Sequence, residues 1–489
     1  MGPGQAPPPR PPGFPLRPQS FRPNEGQRGY PPNYPNRPRG SQQDQRTSFG
    51  PNQLPLYPLE RFQVNCAPFR QPTEIGSFSY DEHRNFVMDD SQLKYYFPPD
   101  LRTTNNLSVN YEKYISRDSS VDEHIDALLD ALMCIKIEEE QQHSSTPERP
   151  SITKADFICY RGMLTKIMCT PYAKNDAWEM GATLFNGTIY IEEHVSDEKR
   201  NEATSSDERH KLMSYWGYRF ETICNISKPV SELRRIKTNK RTLPQQQEDE
   251  TIAKAPKLDK DATHPGENST TEDQNQNLED AEDEFTEQID LDDPELVGRL
   301  DGIVNTNFQY CTVARTRIGR NSIIMGAEVD CISEPKRPSH NPLSDYIELK
   351  TSRVISNARN RSTFERHKLL KFWAQSFLPG IPTIIVGFRD DDGNVVTVET
   401  FKTMEIPRLV RGKEGAWDST VCINFLDGVL NFLRKQIVKD DPTVTYTIRW
   451  APPFQAIEVE YAGQRRAFLT ERFLKRWGHP PESAASTGG

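Results

Sequence analysis

Two stretches decide how this chain folds: Gly-Ala-Glu-Val-Asp-Cys at 326–331 and Tyr-Ile-Glu-Leu-Lys-Thr at 346–351. Each is typical of a short strand that carries a charge at every second position. Because side chains alternate between faces along a strand, Glu328 and Asp330 share one face, and Glu348 shares a face with Lys350. Charges within apolar sequence are costly unless they pair or bind a metal. The intervening loop favours a hairpin that lays the strands side by side, which predicts a site for a hard divalent cation with a lysine beside it.

Composition divides the chain of 489 residues into parts that can and cannot form a core. Residues 1–58 contain 16 prolines, and 241–300 carry 18 acidic against 5 basic residues. Such segments bury too little apolar surface to fold, so we expect a disordered Pro/Arg-rich tail at 1–58, a disordered acidic insertion at about 228–300 and a disordered C-terminal tail at 477–489. Without the −13 charge of 241–300, the total of −9 becomes +4, which does not exclude a nucleic acid as partner.

The remaining chain, 59–476, is predicted to be one catalytic domain. Strand and helix patterns alternate along it, and hairpin signals occur as well, for example Asn186-Gly187. A helix with Ser362 as its N-cap is expected over 362–377. The fold class is therefore α/β in the broad sense, an α+β mixed sheet flanked by helices. The eight cysteines form no CxxC pair and indicate reduced thiols, and no apolar run is long enough to span a membrane.

The carboxylates and the lysine suit phosphodiester hydrolysis. Asp330 can bridge two divalent ions, and Glu328 and Glu348 can each complete the coordination of one, with the carbonyl of Leu349 as a further oxygen ligand. Oxygen ligands select Mg²⁺ or Mn²⁺ over zinc. Lys350 can orient the attacking water or stabilise the developing charge. Each motif alone is a weak signal, because a Glu-x-Lys sequence is common. Glu348 and Lys350 could equally form an ordinary ion pair on a half-exposed strand.

The order of the motifs is more specific than any one of them. Glu221, then Glu-x-Asp, then Glu-x-Lys, then a helix that carries Gln375 is the pattern of a PD-(D/E)xK nuclease core. Together with Arg161-Gly162 and Gly217-Tyr-Arg-Phe-Glu221, these residues resemble the DXO family of decapping and 5′-to-3′ exoribonuclease enzymes over most of 59–476.

The resemblance implies a role for each motif residue. Glu221, Glu328, Asp330, Glu348 and the carbonyl of Leu349 would hold two Mg²⁺ or Mn²⁺ ions, while Lys350 and Gln375 would contact the scissile phosphate or the water. The RNA path would be lined by Arg84, Glu123, Tyr160, Arg161, Gly162 and Cys311. Without the resemblance, Glu123 is an exposed helix residue, Cys311 a buried thiol and Arg161 an arginine at the end of a strand.

The resemblance also implies an activity. Members of the family remove incomplete and NAD caps from RNA, release pyrophosphate from 5′-triphosphate RNA and degrade 5′-monophosphate RNA. It further implies RNA 5′ ends as partners, leaves a nuclear exoribonuclease open as a protein partner, and favours a nuclear location with a cytoplasmic pool as the alternative. Two other functions remain open from the sequence: a PD-(D/E)xK DNA nuclease and a non-catalytic RNA-binding scaffold.

Overall fold

The structure, a computed structural model, describes residues 49–142, 151–194, 207–239, 285–463 and 467–477. The strands are β1 (Gln53–Pro55), β2 (Phe69–Tyr80), β3 (Phe86–Val87), β4 (Tyr95–Tyr96), β5 (Phe157–Tyr160), β6 (Trp178–Phe185), β7 (Thr188–His194), β8 (Asn225–Ile226), β9 (Arg235–Asn239), β10 (Phe285–Ile289), β11 (Gln309–Ile318), β12 (Asn321–Glu328), β13 (Cys331–Ile332), β14 (Tyr346–Arg353), β15 (Thr383–Arg389), β16 (Val395–Lys402), β17 (Thr445–Trp450) and β18 (Ala456–Gly463). The α-helices are α1 (Asp126–Gln142), α2 (Arg161–Cys169), α3 (Glu208–Cys224), α4 (Pro294–Asp301), α5 (Ala358–Thr363), α6 (Leu369–Phe377), α7 (Ile406–Val410), α8 (Ser419–Gln436) and α9 (Glu471–Trp477).

Two mixed sheets organise the described residues. The larger has ten strands in the order β1-β18-β17-β6-β7-β5-β12-β11-β2-β3, and the smaller has six in the order β16-β15-β14-β13-β4-β8. Each contains parallel pairs, such as β12 with β5 and β14 with β15, among antiparallel ones. The predicted class, a mixed sheet flanked by helices, is therefore confirmed, with the strands divided between two sheets.

The apolar core follows from the alternation of side chains on these strands. Ile323 and Met325 of β12 join the largest apolar cluster, which contains residues of α2, α6, α8 and both sheets, whereas Ile324 between them packs with α1. In the smaller sheet, Ile347 and Leu349 of β14 pack with α3. Glu348 and Lys350 therefore point away from α3's apolar cluster, as the alternation predicts.

The predicted pairing of the two acidic strands needs a correction. Glu328 ends β12 in the larger sheet, whereas Glu348 lies on β14 in the smaller one, and the two strands are not neighbours. Asp330 lies just beyond the end of β12, where the chain passes between the sheets. The antiparallel pair is formed instead by the short strand β13, with Cys331 opposite Ile347. The functional residues thus meet where two sheets meet.

The structure confirms the predicted hairpin turn and corrects the predicted helix N-cap. The hairpin at Asn186-Gly187 is confirmed: both residues have positive φ values, of 50° and 74°, between β6 and β7. The N-cap at Ser362 is wrong. The helix begins at Ala358, and the side chain of Asn357 accepts a hydrogen bond from the backbone N–H of Asn360 at 2.9 Å. An Asn cap competes on equal terms with Ser, and a π-helical turn then joins α5 to α6.

Parts of the segments predicted to be disordered are folded in the structure, so the predicted boundaries are too wide. Residues 53–55 form an edge strand that pairs with β18, a position in the sheet that tolerates Pro55. On both sides of the acidic stretch, β9 pairs with β10, and Leu296 of α4 packs with Ile226 and Leu233. These few apolar residues are enough to fold the segment because they pack against Ile226 on β8 of the smaller sheet. Residues 1–48, 240–284 and 478–489 lie outside the described residues.

Removing the centre of the acidic insertion is expected to leave the fold intact. Asn239 and Phe285 are the last cross-strand pair of β9 and β10, so an Asn-Gly turn can replace 240–284 without moving either strand. Deleting 228–300 also removes the buried Leu296, which should cost about 2 kcal/mol or more. Thermal unfolding of both deletions against the full chain tests this. Unfolding of the shorter deletion would show that 240–284 belong to the folded domain.

The remaining sequence expectations concern cysteines and membranes. All eight cysteines lie in described ranges and none forms a disulfide. Among the described helices, none combines the length and the apolar character that crossing a bilayer requires.

Candidate active site

Glu348 is the most buried charge of the site. Its side chain on β14 is 1 % exposed, and each carboxylate oxygen has a cationic partner. Oε1 lies 2.5 Å from Lys350 Nζ, and Oε2 accepts a hydrogen bond from Arg161 Nη1 at 2.9 Å. Burial alone would raise the pKa of Glu348, but Arg161 and Lys350 outweigh burial and lower it to about 2. Glu348 is therefore ionised at any physiological pH.

Asp330 lies near the same lysine, but its pKa is shifted in the opposite direction from that of Glu348. Its Oδ2 accepts a hydrogen bond from the backbone N–H of Leu349 at 2.6 Å and lies 3.8 Å from Lys350 Nζ. Burial, opposed by Lys350 and reinforced by the carboxylates of Glu348 and Glu328, raises the pKa of Asp330 to about 7. The hydrogen bond occupies one oxygen and orients the carboxylate.

Glu221 and Glu328 complete the carboxylate group. Glu221 lies in the last turn of α3, and Glu328 is exposed at the end of β12. Burial and the charge of Asp330 raise the pKa of Glu221 well above its usual value. Neither carboxylate makes a hydrogen bond or salt bridge with any other described residue. Four carboxylates thus face two cations, Lys350 and Arg161, and full ionisation of all four would leave two negative charges uncompensated.

This donor set fits a divalent cation, although the side chains are not yet arranged around one. Among the described residues, no group of three or more His, Cys, Asp or Glu side chains is placed to hold a metal as it stands. Both oxygens of Glu348 have cationic partners, Lys350 and Arg161. A divalent ion would offset the repulsion that raises the pKa of Asp330 and Glu221. Assigning Glu221, Glu328, Asp330, Glu348 and the Leu349 carbonyl as metal ligands remains a prediction.

Glu221, Glu328 and Asp330 line a cleft with two arms. Two cavities of about 700 Å³ each are both lined by Glu328. One, the Arg84 arm, is lined by Arg84, Glu123, Tyr160, Arg161, Gly162, Cys311 and Gln375. The other, the Lys94 arm, is lined by Lys94, Tyr218, Asn305, Phe308, Glu221 and Asp330. Every residue predicted to line the RNA path therefore lines the Arg84 arm, and Gln375 lies there as well.

Within the Arg84 arm, Arg84 and Glu123 form one unit. The guanidinium makes a bidentate ion pair with Glu123, at 2.9 and 3.0 Å, and donates to the Asn307 carbonyl at 3.1 Å. It also lies 3.6 Å from the centroid of the Tyr80 ring. Arg117 approaches Glu123 at 3.4 Å. Glu123 is thus not the free charge on a helix that its sequence context suggests.

Arg161 is not at the end of a strand, as predicted, but is the first residue of α2. β5 ends one residue earlier, at Tyr160. The Arg161 side chain is 11 % exposed and joins Glu348 to the backbone carbonyl of Gln375, at 2.9 and 3.5 Å. Arg161, on α2, therefore links β14, which carries Glu348 and Lys350, to α6.

The remaining wall of the Arg84 arm consists of tightly packed neighbours on β5, β11 and β12. Cys311 lies directly opposite Glu328 in the antiparallel register of β11 and β12. Burial, with a contribution from Glu328, raises the pKa of the Cys311 thiol, so it is neutral. Gly326 lies opposite Tyr160, and a Cβ there would approach the Tyr160 ring to 2.7 Å. A glycine at 326 is therefore required for the Tyr160 ring to line the cleft.

The sequence reasoning missed the Lys94 arm. Lys94 stands alone in an apolar context, which carries no motif signal. Phe308 and Asn305 are single residues outside the acidic motifs, and their sequence context predicts no chemistry for them.

The site and the fold together define a class of protein. A mixed-sheet fold that brings a Glu-x-Asp pair and a Glu-x-Lys pair together around one lysine is typical of PD-(D/E)XK nucleases, which hydrolyse phosphodiester bonds. The family described as RAI1 like PD-(D/E)XK nuclease matches residues 70–251 and 282–477. The chain therefore belongs to the RAI1-like PD-(D/E)XK nuclease family and is a hydrolase.

Curated relatives and solved structures agree with this assignment. The chain is 35 % identical to the decapping nuclease RAI1 of Neurospora crassa, over 83 % of this chain and 82 % of that protein. It is 30 % identical to the decapping and exoribonuclease protein of Bos taurus, over 83 % and 85 %. Its fold is similar to Candida albicans Rai1 in complex with pU5-Mn²⁺, with a TM-score of 0.66, 24 % identity and coverage of 88 % and 98 %.

Adding Mg²⁺ or Mn²⁺ is expected to raise the melting temperature of the chain. An ion at about 100 times its Kd adds about 2.7 kcal/mol to the free energy of unfolding. Asp330→Asn should reduce this gain, since it removes a predicted ligand. The matched control is Asp176→Asn, which changes an exposed carboxylate paired with Lys371. An equal gain in both variants would place the ion elsewhere.

Proposed function

We propose that this chain is a metal-dependent hydrolase of RNA 5′ ends. It would remove incomplete and NAD caps, release pyrophosphate from 5′-triphosphate RNA and degrade 5′-monophosphate RNA in the 5′-to-3′ direction. The observation that carries the proposal is the carboxylate group around Lys350, with Glu328 lining both of the adjoining cavities of about 700 Å³. The names of the relatives support the same activity, as decapping nucleases and exoribonucleases.

In this proposal the carboxylates and the Leu349 carbonyl hold two Mg²⁺ or Mn²⁺ ions. The ions would supply an activated water and neutralise charge on the phosphate and the leaving oxygen. Solved relatives that contain Mn²⁺ and pU5, or a calcium ion and (3′-NADP)⁺, support a divalent ion and a nucleotide ligand.

The residues of the chain have separate tasks in this reaction. Lys350 carries its ammonium between Glu348 and Asp330, where it can orient the attacking water and stabilise negative charge on the phosphate. Arg161 fixes Glu348 in one orientation, and the Leu349 N–H does the same for Asp330. Gln375 lies on α6 at the Arg84 arm, within reach of a strand that runs along Arg84, Tyr160 and Cys311.

The test is hydrolysis of RNAs that share one sequence and differ at the 5′ end: triphosphate, monophosphate, unmethylated cap and NAD cap. Each is incubated with Mg²⁺ or Mn²⁺ beside a DNA of the same sequence. We expect release of pyrophosphate, nucleotide, cap dinucleotide and NAD from the RNAs, and little from the DNA. Preferential cleavage of DNA would favour the general DNA nuclease, and absence of any product would favour an RNA-binding scaffold.

A protein partner and a location complete the proposal. The family resemblance supports a nuclear exoribonuclease as partner and the nucleus as the main site of action. Basic runs at 234–237 and 237–241 support nuclear import. Imaging of the tagged full chain, with and without the change of both runs to Gln, tests the location.

A further inference from the structure

The Lys94 arm contains a cation that has no hydrogen bond or ion pair with a described residue. Lys94 precedes β4, is partly buried and lines the cavity that also contains Glu221 and Asp330. Among the described residues, its ammonium makes no hydrogen bond and no ion pair. Burial lowers the pKa of Lys94, and the charge of Glu295, which also lines this arm, opposes that shift. Glu295 in turn accepts a hydrogen bond from the Ser227 N–H at 2.5 Å.

The other cations of the cleft differ from Lys94 in this respect. In the Arg84 arm, Arg84 and Arg117 share Glu123, and Arg161 is bound to Glu348. In the Lys94 arm, Arg299 donates to the carbonyls of Phe97 and Pro98. Among the described lining residues of both arms, Lys94 is the cation with all its donors available. A partly buried ammonium with no partner is stable only beside an anion or water.

Aromatic rings and an amide accompany this lysine. Tyr218 is 39 % and Phe308 41 % exposed, so both rings present surface to the arm. Tyr218 is held by stacking on Tyr114, with ring centroids 6.2 Å apart. Asn305 adds a side chain that can both donate and accept. Exposed rings on which bases stack, together with a free cation for phosphate, form the usual recognition set for a nucleotide.

We propose that the Lys94 arm binds the leaving group of the reaction, a 5′-terminal nucleotide with its chain of phosphates. Lys94 would bind these phosphates, and Phe308 would stack on the base. The bond that breaks joins phosphorus to the leaving oxygen, and water supplies the new oxygen. The inference rests on the proposed function and adds a rule: the more phosphates the leaving group carries, the more its binding depends on Lys94.

The test compares Lys94→Met, Lys94→Arg and Phe308→Ala with the wild-type chain. For unmethylated capped RNA, whose leaving group is GpppN, Lys94→Met should raise KM about tenfold, whereas the rise for 5′-monophosphate RNA should be about threefold or less. Lys94→Arg keeps the positive charge, so its KM for capped RNA should stay close to the wild-type value. Phe308→Ala should weaken hydrolysis of capped RNA but not pyrophosphate release from 5′-triphosphate RNA, because pyrophosphate has no base to stack.

Binding of GpppA by calorimetry, with Ca²⁺ to prevent turnover, gives a readout that is independent of catalysis. Lys94→Met should lower the affinity about tenfold, and Lys402→Met, an exposed lysine on β16, should leave it unchanged. Equal KM changes for capped and monophosphate RNA, or unchanged GpppA binding, would overturn the inference while leaving the proposed function intact. A wild-type chain that hydrolyses no RNA 5′ end would instead overturn the proposed function.

Discussion

Glu348→Gln and Asp330→Asn are each expected to reduce RNA hydrolysis by about 10²–10³-fold or more, because each removes charge at the reacting phosphate. Their effects on stability should have opposite signs. Glu348 neutralises Arg161 and Lys350, so its replacement leaves two buried cations without a full counter-charge. Asp330 is repelled by its neighbours, so Asp330→Asn should raise the melting temperature in EDTA. An Asn oxygen can still accept the Leu349 hydrogen bond.

Glu328→Gln serves as the control for this pair. Glu328 is exposed and makes no ion pair with a described residue, so the variant should lose activity with little change in melting temperature. Initial rates with Mg²⁺ and thermal unfolding in EDTA, measured on the same preparations, separate the two effects. Full activity of Asp330→Asn at equal Mg²⁺ would remove Asp330 from the metal site. Identical melting temperatures for the Glu348 and Asp330 variants would contradict the electrostatic account.

Arg161→Met is expected to have the second largest effect, a loss of about 3 kcal/mol from the free energy of unfolding together with a large loss of activity. The guanidinium is nearly buried and is one of the two cations that compensate Glu348. Its removal also raises the pKa of Glu348, since Arg161 is a main cause of the lowered value. Arg472→Met, which breaks an exposed pair with Asp130, should cost about 0–1 kcal/mol. Chemical denaturation of both variants provides the comparison.

RNA affinity as a function of salt separates two roles of Arg161. A direct contact with a phosphate predicts that Arg161→Met reduces the salt slope by about one, since fewer counterions are released on binding. A role in positioning Glu348 predicts an unchanged slope, with kcat reduced more than affinity. The ion pair seen in the structure favours the second outcome. An unchanged free energy of unfolding together with a reduced salt slope would instead support a direct contact between Arg161 and a phosphate.

The sequence by itself determined those features that depend on neighbours along the chain. Glu348 and Lys350 share a face because strand geometry has a period of two, and Asn186-Gly187 forms a tight turn because both residues tolerate positive φ. The order of the acidic motifs also identified the class of chemistry. At 228–239 and 285–300 composition misled, because a net acidic charge does not prevent Leu296 and two short strands from packing on a sheet.

Only the tertiary structure decided how distant residues meet. Arg161 and Glu348 are 187 positions apart, and no local period links them. That Glu328 and Glu348 belong to different sheets depends on how the strands pair over the whole domain, since a strand's apolar pattern specifies its faces but not its neighbours. Lys94 acquires its significance in the same way. Its sequence context carries no signal, and the role we propose for it depends on folding, which places its ammonium and two exposed rings in one cavity with Glu221 and Asp330.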